Sequence, residues 1–116
     1  MTDESCLFCK IVAGDIPSDQ VHEDDLVLAF NDIDPQAPVH QLVIPKAHIG
    51  SSAELTEEHG TLLGRLFSVT AELAVRAGVD GSGYRVVTNV GADGGQSVDH
   101  LHLHLLGGRA MAWPPG

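Results

Sequence analysis

The sequence predicts one α+β domain over residues 1–116, built on a mainly antiparallel sheet with one long and one short helix. Strand-like segments occur on both sides of a single long amphipathic helical segment. Near the C-terminus, residues 100–106 alternate histidine with leucine, and a period of two is typical of a β-strand. A chain of 116 residues is long enough to bury one core and too short for two.

The N-terminal third predicts a short helix and a hairpin. Residues 5–12 have a helical pattern that ends at Gly14, because glycine readily adopts the left-handed conformation of a helix C-cap. Residues 20–22 and 26–31 have strand character and are separated by three acidic residues, which favour a polar turn. We therefore expect two adjacent antiparallel strands here.

The middle of the chain predicts a central strand followed by the long helix. Residues 39–45 are apolar enough for a central strand and end at a proline, which cannot donate to a strand ladder. Apolar residues recur at three- and four-residue steps over residues 56–77, which predicts an amphipathic helix with Thr56 as its N-cap. Gly60 and Gly64 share one helical face, where they either allow a second helix to approach in a dimer or are simply tolerated.

The last third predicts two more strands around a glycine-rich loop. Residues 84–89 have strand character, and residues 91–96 form a loop that contains three glycines. The alternation in residues 100–106 would place three histidines on one face of a half-buried strand and leucines on the other. Neighbouring histidines would then lie roughly 6.6 Å apart, which argues against one metal ion bound by all three. Surface histidines and a metal patch are the alternative interpretations.

Composition and charge limit the classes of partner. The formal net charge is −10, from 16 acidic against 6 basic residues, so the field of the protein repels polyanions. We therefore expect no nucleic-acid partner, although a small anionic ligand is compatible with local N–H and imidazole donors. The sequence contains no long apolar run and no basic-then-apolar leader, so we expect a cytoplasmic protein with no membrane partner.

Residues 100–106, His-Leu-His-Leu-His-Leu-Leu, resemble the histidine triad motif, in which histidines alternate with apolar residues. Nearly the whole chain resembles the Hint branch of that family, the histidine triad nucleotide-binding proteins, through residues 6–14, 32–33, 36–49, 94–97 and 113–116. The resemblance implies a fold with a five-stranded antiparallel sheet and two helices. It also implies a homodimer.

Transfer of a nucleotidyl group needs a nucleophile, donors for the phosphoryl oxygens and a proton for the leaving group. His102 is flanked by two other imidazoles, which makes it the best-placed nucleophile, and the resemblance implies a nucleotidyl-histidine intermediate at this position. We expect one ring nitrogen of His102 to donate to a fixed acceptor, such as a backbone carbonyl, so that the other can attack. The expected catalytic set is completed by neighbouring side chains, namely His104, His100, Ser97 and His40.

The nucleotide would contact a loop, a ribose-binding carboxylate and an apolar wall. Glycines in the loop let backbone N–H groups approach a phosphate, and the resemblance assigns the α-phosphate to this loop, which contains Gly95 and Val98. The Ser97 hydroxyl at the exit of the loop would hydrogen-bond the leaving group, and Asn89 would orient the loop or the phosphate. The resemblance implies that Asp32 accepts hydrogen bonds from the ribose hydroxyls. It also implies that Trp113 reaches into the active site of the partner subunit, on the side where the leaving group sits. The base pocket would be lined by Phe8, Ile11, Phe30, Ile33 and Leu42. The alternatives are that Asn89 is a turn residue, Asp32 a loop cap, the apolar side chains core and the tail disordered.

Two cysteines and two histidines form a second candidate site. Cys6 and Cys9 have the Cys-x-x-Cys spacing, which in a cytosolic chain indicates metal or redox chemistry rather than a structural disulfide. With His48 and His100 they would complete a tetrahedral Cys₂His₂ site for a structural zinc ion. Reduced, partly buried cysteines without metal are the alternative. Imidazoles and N–H groups supply the charge stabilisation, so we expect catalysis itself to need no metal.

Together these features predict a homodimeric hydrolase of purine nucleoside 5′-phosphoramidates, including adenylylated amines such as AMP-lysine. The resemblance carries this expectation, since His104 disfavours the uridylyltransferase branch and the Trp-Pro-Pro-Gly end favours the Hint branch. A dinucleoside polyphosphate hydrolase is the rival enzyme. A nucleotide- or zinc-binding interaction module with vestigial catalysis is the rival of a different class.

Overall fold

One five-stranded antiparallel sheet organises the chain, and its strands have the order β1-β2-β3-β5-β4. The computed structural model describes residues 3–116. The elements in chain order are α1 Leu7–Ala13, β1 Gln20–Glu23, β2 Val27–Asn31, β3 Val39–Pro45, α2 Gly60–Arg76, β4 Tyr84–Val87 and β5 Leu103–Gly107. The predicted α+β class, the five antiparallel strands and the two helices are confirmed.

The register across the middle of the sheet determines which side chains share a face. Leu42 on β3 is paired with Phe30 on β2 and with His104 on β5. His104 is paired in turn with Val87 on β4. Because directly paired residues of antiparallel strands point to the same face, these four form one row across the sheet. The row places a histidine from the last strand beside apolar side chains from the first half of the chain.

Each face of the sheet is covered by one helix. The α2 helix packs on the face that carries a buried cluster of Val27, Ala29, Val43, Leu66, Val69, Leu73, Leu101, Leu103 and Leu105, among others. The α1 helix covers the other face, where the buried cluster contains Cys6, Phe8, Cys9, Ile11, Leu28, Phe30, Leu42 and Ile44. The face that carries the histidines is therefore covered rather than open to solvent, and His100 and His102 are buried.

The ends of both helices follow from local hydrogen bonding. Gly14 ends α1 with φ 84°, the left-handed conformation that the sequence predicts for it. The long helix begins later than expected: Thr56 caps a 3₁₀ turn over Glu57–His59, and α2 proper runs from residue 60 to residue 76. The Thr56 N–H donates to His59 Nδ1 at 2.9 Å, which closes the turn. In the described part of the chain, no helix combines the length and the apolar character needed to cross a membrane.

The last strand is shorter than the histidine-leucine alternation suggests. β5 begins at Leu103, so His100 and His102 precede it, and the prediction that all three histidines lie on one strand is wrong. The backbone of this segment is bonded outside the ladder: the Leu101 N–H donates to the Ile49 carbonyl, and the Thr88 hydroxyl donates to the His102 carbonyl. The alternation of faces nevertheless persists, because Leu101 still enters the core beneath α2.

The turn between β1 and β2 is fixed to α2 by one carboxylate. Asp24 Oδ1 accepts from the N–H groups of Leu26 at 2.8 Å and Val27 at 2.9 Å. Its Oδ2 accepts from His22 at 2.7 Å and from Arg65 on α2 at 2.8 Å. Burial acts to raise the pKa of Asp24, but the hydrogen bonds from His22, Leu26, Arg65 and Val27 outweigh it and hold that pKa well below its usual range. The ionised carboxylate therefore stabilises the fold at neutral pH.

Replacing this carboxylate should destabilise the hairpin and the docking of α2. We expect Asp24→Asn to lower the free energy of unfolding at pH 7 by about 1 to 3 kcal/mol, because charged hydrogen bonds are lost. The matched control is Asp25→Asn, which removes the same charge from the exposed neighbouring position and should change stability by less than about 0.5 kcal/mol. Urea unfolding of both variants measures the difference, and equal stabilities would contradict this role for Asp24.

Candidate active site

His102 has the geometry of a nitrogen nucleophile. Its Nδ1 lies 2.6 Å from the carbonyl oxygen of His100, and a carbonyl only accepts, so Nδ1 carries the hydrogen. The other nitrogen, Nε2, then holds the free lone pair of the neutral ring. The ring is 3% exposed, and Phe8 packs edge-on against it with ring centroids 5.2 Å apart. The backbone acceptor expected from the sequence is therefore present.

A chain of hydrogen bonds determines the tautomers of the next two histidines. The Gln36 backbone N–H donates to His40 Nδ1 at 3.0 Å, so neutral His40 carries its hydrogen on Nε2. That Nε2 lies 2.8 Å from His104 Nδ1 and donates to it. His104 is left with its hydrogen on Nε2, and its ring lies beside that of His102 with centroids 5.0 Å apart. His104 thus presents an N–H donor while His102 presents a lone pair.

Both rings of this pair remain neutral near pH 7. Burial lowers the pKa of His40, opposed by the charges of Asp32 and Asp34. Burial, together with the neighbouring His102 and His40 rings, lowers the pKa of His104 to about 4. Asp32 Oδ2 lies 3.4 Å from His40 Nε2, so carboxylate and imidazoles are close enough to suggest a metal site. Because the Gln36 amide keeps the hydrogen of His40 on Nε2, that nitrogen has no free lone pair for a metal ion. Asp32, His40 and His104 therefore form a hydrogen-bond chain instead.

A cavity of about 280 Å³ opens beside these histidines. It is lined by Leu7, Phe8, Phe30, Asn31, Asp32, Ile33, Leu42, Ser97, Val98, His102 and His104. One wall is therefore aromatic and aliphatic, while the other carries imidazole, hydroxyl and carboxylate groups. Nine of the residues singled out in the sequence meet here. Leu7 and Asn31 were missed, although each is adjacent in the chain to a residue that was identified.

Several residues named for the nucleotide lie elsewhere. Ile11 packs into the core beneath α1 rather than lining the cavity, because its position on the helix turns it toward the sheet. Trp113 is 83% exposed and does not line the cavity of its own chain. The ring of His100 faces the two cysteines, so only its carbonyl contributes to the His102 environment. His40 stands behind His104, outside the cavity lining.

Side-chain amides hold the glycine-rich loop next to the cavity. Asn89 Nδ2 donates to the Gly94 carbonyl at 2.7 Å, and Gly95 has a left-handed φ of +77°. Neither Asn89 nor Gly95 lines the cavity itself. Gln96 accepts from the Gly91 N–H at 3.0 Å and donates to the Gly50 and Val98 carbonyls at 2.8 and 2.9 Å. No role for Gln96 is predicted from the sequence. Its position beside the loop glycines is the signal that could have indicated one.

The two cysteines and two histidines of the expected metal site lie close together. The ligand atoms of Cys6, Cys9, His48 and His100 all lie within 4.8 Å of one another. The Cys9 sulfur is 3.2 Å from His48 Nδ1 and 3.5 Å from His100 Nδ1, and the Cys6 sulfur is 3.4 Å from His100 Nδ1. Zinc–ligand bonds of about 2.0 to 2.3 Å give tetrahedral edges of about 3.3 to 3.8 Å, so the four donors fit one zinc ion.

The surroundings of this Cys₂His₂ cluster also suit a metal. His100 Nε2 donates to the Pro45 carbonyl at 2.8 Å, which leaves Nδ1 unprotonated and directed at the sulfurs. His48 Nε2 lies 4.0 Å from an Asp3 carboxylate oxygen. Burial raises the pKa of the Cys6 thiol, whereas a bound cation would favour the thiolate. The cluster joins α1 to the segment that precedes β5.

Comparisons with known proteins agree with this fold and site. The family described as "Scavenger mRNA decapping enzyme C-term binding" matches residues 5–112. The 14 kDa zinc-binding protein of Zea mays is 50% identical, over 100% of this chain and 91% of the relative. The purine nucleoside phosphoramidase of Escherichia coli is 47% identical, over 93% of this chain and 91% of that protein. A HIT family hydrolase from Legionella pneumophila superposes with a TM-score of 0.94 at 51% identity, covering 96% of this chain and 99% of that one.

The antiparallel sheet and the histidines buried beneath its short helix define the class of the histidine triad hydrolases. The chain belongs to the HIT family, and the resemblance noted in the sequence is confirmed over almost its full length.

The neutral state of His104 should make stability depend on pH. Its pKa is about 4 in the fold against 6.5 in an unfolded chain, so the unfolded state binds more protons between these values. Stability should therefore fall as the pH is lowered, by about 1.5 kcal/mol between pH 6.5 and about pH 5 from this residue. His104→Gln keeps an acceptor for His40 but cannot titrate. Urea unfolding should give a shallower pH dependence for this variant at matched zinc content, and identical slopes would contradict the assignment.

Proposed function

We propose that this HIT-family hydrolase cleaves purine nucleoside 5′-phosphoramidates through a nucleotidyl-His102 intermediate. The observation that carries the proposal is the 2.6 Å hydrogen bond from His102 Nδ1 to the His100 carbonyl, which leaves Nε2 unprotonated on a residue that borders the cavity. Binding alone needs no such nucleophile, so the geometry supports an enzyme over a binding module. The name of the Escherichia coli relative supports the P–N bond as the target.

In the first step, His102 Nε2 forms a bond to the phosphorus and the P–N bond breaks. The amine leaves with the electron pair of that bond and takes up a proton from solvent, while the Ser97 hydroxyl hydrogen bonds to it. Water then attacks the phosphorus, loses a proton to solvent and displaces His102, so that the P–Nε2 bond breaks and a nucleoside 5′-monophosphate and neutral His102 are released. The His104 N–H and the N–H groups of the glycine-rich loop stabilise the phosphoryl oxygens.

His104 acts as a hydrogen-bond donor and keeps its proton throughout. Proton loss from its Nε2 would draw a proton from His40 to its Nδ1. His40 could not then regain a proton through its Nδ1, because Nδ1 accepts from the Gln36 backbone amide, which cannot release a proton near pH 7. The hydrogen-bond chain therefore orients His104 and does not conduct protons. The leaving amine consequently depends on Ser97 and solvent.

The nucleoside would occupy the apolar side of the cavity. Phe8, Phe30, Ile33 and Leu42 provide a surface for a purine ring. Asp32 lines the same cavity, and its Oδ1 already accepts from the Asp34 N–H at 2.8 Å. The remaining acceptor capacity of this carboxylate suits the vicinal hydroxyls of a ribose. Asn89 and Gly95 act indirectly, by shaping the loop that faces the phosphate.

The Cys₂His₂ cluster would hold a structural zinc ion. Its four donors lie within 4.8 Å of one another, sulfur–nitrogen distances of 3.2 to 3.5 Å match the edges of a zinc tetrahedron, and the name of the Zea mays relative supports zinc over other metals. The imidazole and amide groups at the cavity supply the charge stabilisation for phosphoryl transfer, so the reaction steps above use no metal. Zinc would join α1, which carries Phe8, to the segment that carries His102.

A second copy of the chain would cover the outer face of α2. Phe67 and Val75 on this face are 52% and 60% exposed, and a side chain at Gly60 or Gly64 would meet nothing within 4 Å. Exposed aromatic and aliphatic side chains beside glycines allow two helices to pack closely. Trp113, which leaves the cavity of its own chain uncovered, would reach the leaving-group side of the partner's cavity in such a homodimer.

Removing the nucleophile should abolish turnover without abolishing nucleotide binding. We expect His102→Ala to lower kcat for an adenosine 5′-phosphoramidate of a fluorescent amine by at least about a thousandfold, roughly 4 kcal/mol, while AMP still binds. His59→Ala, in the half-buried turn that precedes α2 and outside the cavity lining, is the matched histidine control and should retain turnover in the folded protein. Wild-type protein that binds AMP but releases no amine would replace this proposal with the binding module.

A further inference from the structure

We propose that the Cys₂His₂ cluster positions the nucleophile, because Cys6, Cys9 and His48 hold His100, and the carbonyl of His100 in turn holds His102. The cluster then positions His102 in addition to stabilising the fold. The inferred effect on catalysis depends on the function proposed above. The inferred effect on the His102 ring does not, and it can be measured without any substrate.

Strand pairing does not fix the position of the His100 carbonyl. The ladder between β3 and β5 covers residues 103–107, so His100 and His102 lie before its first pair. The Leu101 N–H bond to Ile49 and the Thr88 hydroxyl bond to the His102 carbonyl hold the neighbouring backbone groups. Neither bond involves the carbonyl of His100. Some other contact has to determine its position.

The ring of His100, in contrast, is held on both sides. Its Nδ1 lies 3.4 and 3.5 Å from the sulfurs of Cys6 and Cys9, and its Nε2 lies 2.8 Å from the Pro45 carbonyl. The side chain is completely buried. Ring and carbonyl belong to one residue, so fixing the ring limits where the carbonyl can point. That carbonyl is the acceptor, at 2.6 Å, of His102 Nδ1.

The same cluster also positions Phe8, the aromatic neighbour of His100 and His102. Phe8 lies between Cys6 and Cys9 on α1, and its ring is edge-on to His100 at 5.9 Å and to His102 at 5.2 Å. The Cys6 sulfur also accepts from the Cys9 N–H at the start of this helix. Ligation of the two sulfurs would therefore hold α1 and the His102 ring in one arrangement.

Loss of ligation should change the tautomer of His102. Without a fixed acceptor, its hydrogen distributes between Nδ1 and Nε2, and the form protonated on Nε2 has no lone pair there to attack phosphorus. We expect kcat to fall by about tenfold while KM changes by less than about twofold, since supporting contacts of metal ligands typically contribute 10- to 100-fold.

The experiment compares four samples of the full chain: zinc-loaded wild type, wild type stripped with a chelator, Cys9→Ser, and Val69→Ala. Elemental analysis gives the zinc content, and ¹⁵N NMR of the histidine side chains gives the His102 tautomer. We expect one zinc per chain and hydrogen on Nδ1 in the loaded protein, but mixed tautomers in the stripped protein and in Cys9→Ser. Val69→Ala creates a cavity in the core beneath α2, on the opposite face of the sheet, so it should lower Tm with the His102 signals unchanged.

Two results from the wild-type samples would overturn the proposal. One is a wild-type chain that binds no zinc when zinc is supplied, and the other is a His102 hydrogen that stays on Nδ1 after zinc is stripped. If Cys9→Ser does not fold, the His102 tautomer of the stripped wild type alone decides whether the proposal holds. Absence of phosphoramidate turnover in every sample would refute the proposed function and leave the tautomer comparison intact, so the two failures are distinguishable. Mixed tautomers in Val69→Ala would mean that general destabilisation, not the cluster, controls the ring.

Discussion

The hydrogen bond from His102 Nδ1 to the His100 carbonyl is the constraint on which the site depends. A neutral imidazole has one lone pair, and this bond decides that Nε2 holds it. The Gln36 amide makes the opposite choice for its neighbours, because it fixes the hydrogen of His40 and hence of His104 on Nε2. Adjacent rings of the same residue type therefore present an acceptor and a donor. Two backbone groups, rather than charged side chains, establish the difference.

The fold keeps these tautomers stable by covering the histidine face of the sheet. The α1 helix packs Phe8 against His102, and the register of β3 with β5 sets His104 opposite Leu42. Burial lowers the pKa values of His40 and His104, so the pair stays uncharged near pH 7. A neutral pair of rings preserves both hydrogen-bond directions. The net charge of −10 opposes anions at long range, whereas imidazole groups at the cavity can act on an anion at short range.

The two-residue period of residues 100–106 predicted the division of histidines and leucines between the faces, and the structure has it. The end of the ladder was not predictable, because it depends on side-chain and backbone acceptors that come from distant segments, such as the Thr88 hydroxyl and the Ile49 carbonyl. The Cys₂His₂ cluster was predictable from its residue types. Ile11 was misplaced because sequence does not give the rotation of a short helix on a sheet.

The covalent intermediate is the most direct test of the account. Wild-type protein would be mixed with excess adenosine 5′-phosphoramidate, quenched in base during turnover, and digested for peptide mass spectrometry. The account predicts AMP attached to His102 and to no other histidine, at a level that rises within the first turnover. Steady turnover with no adenylylated peptide, or AMP on His104 instead, would contradict it.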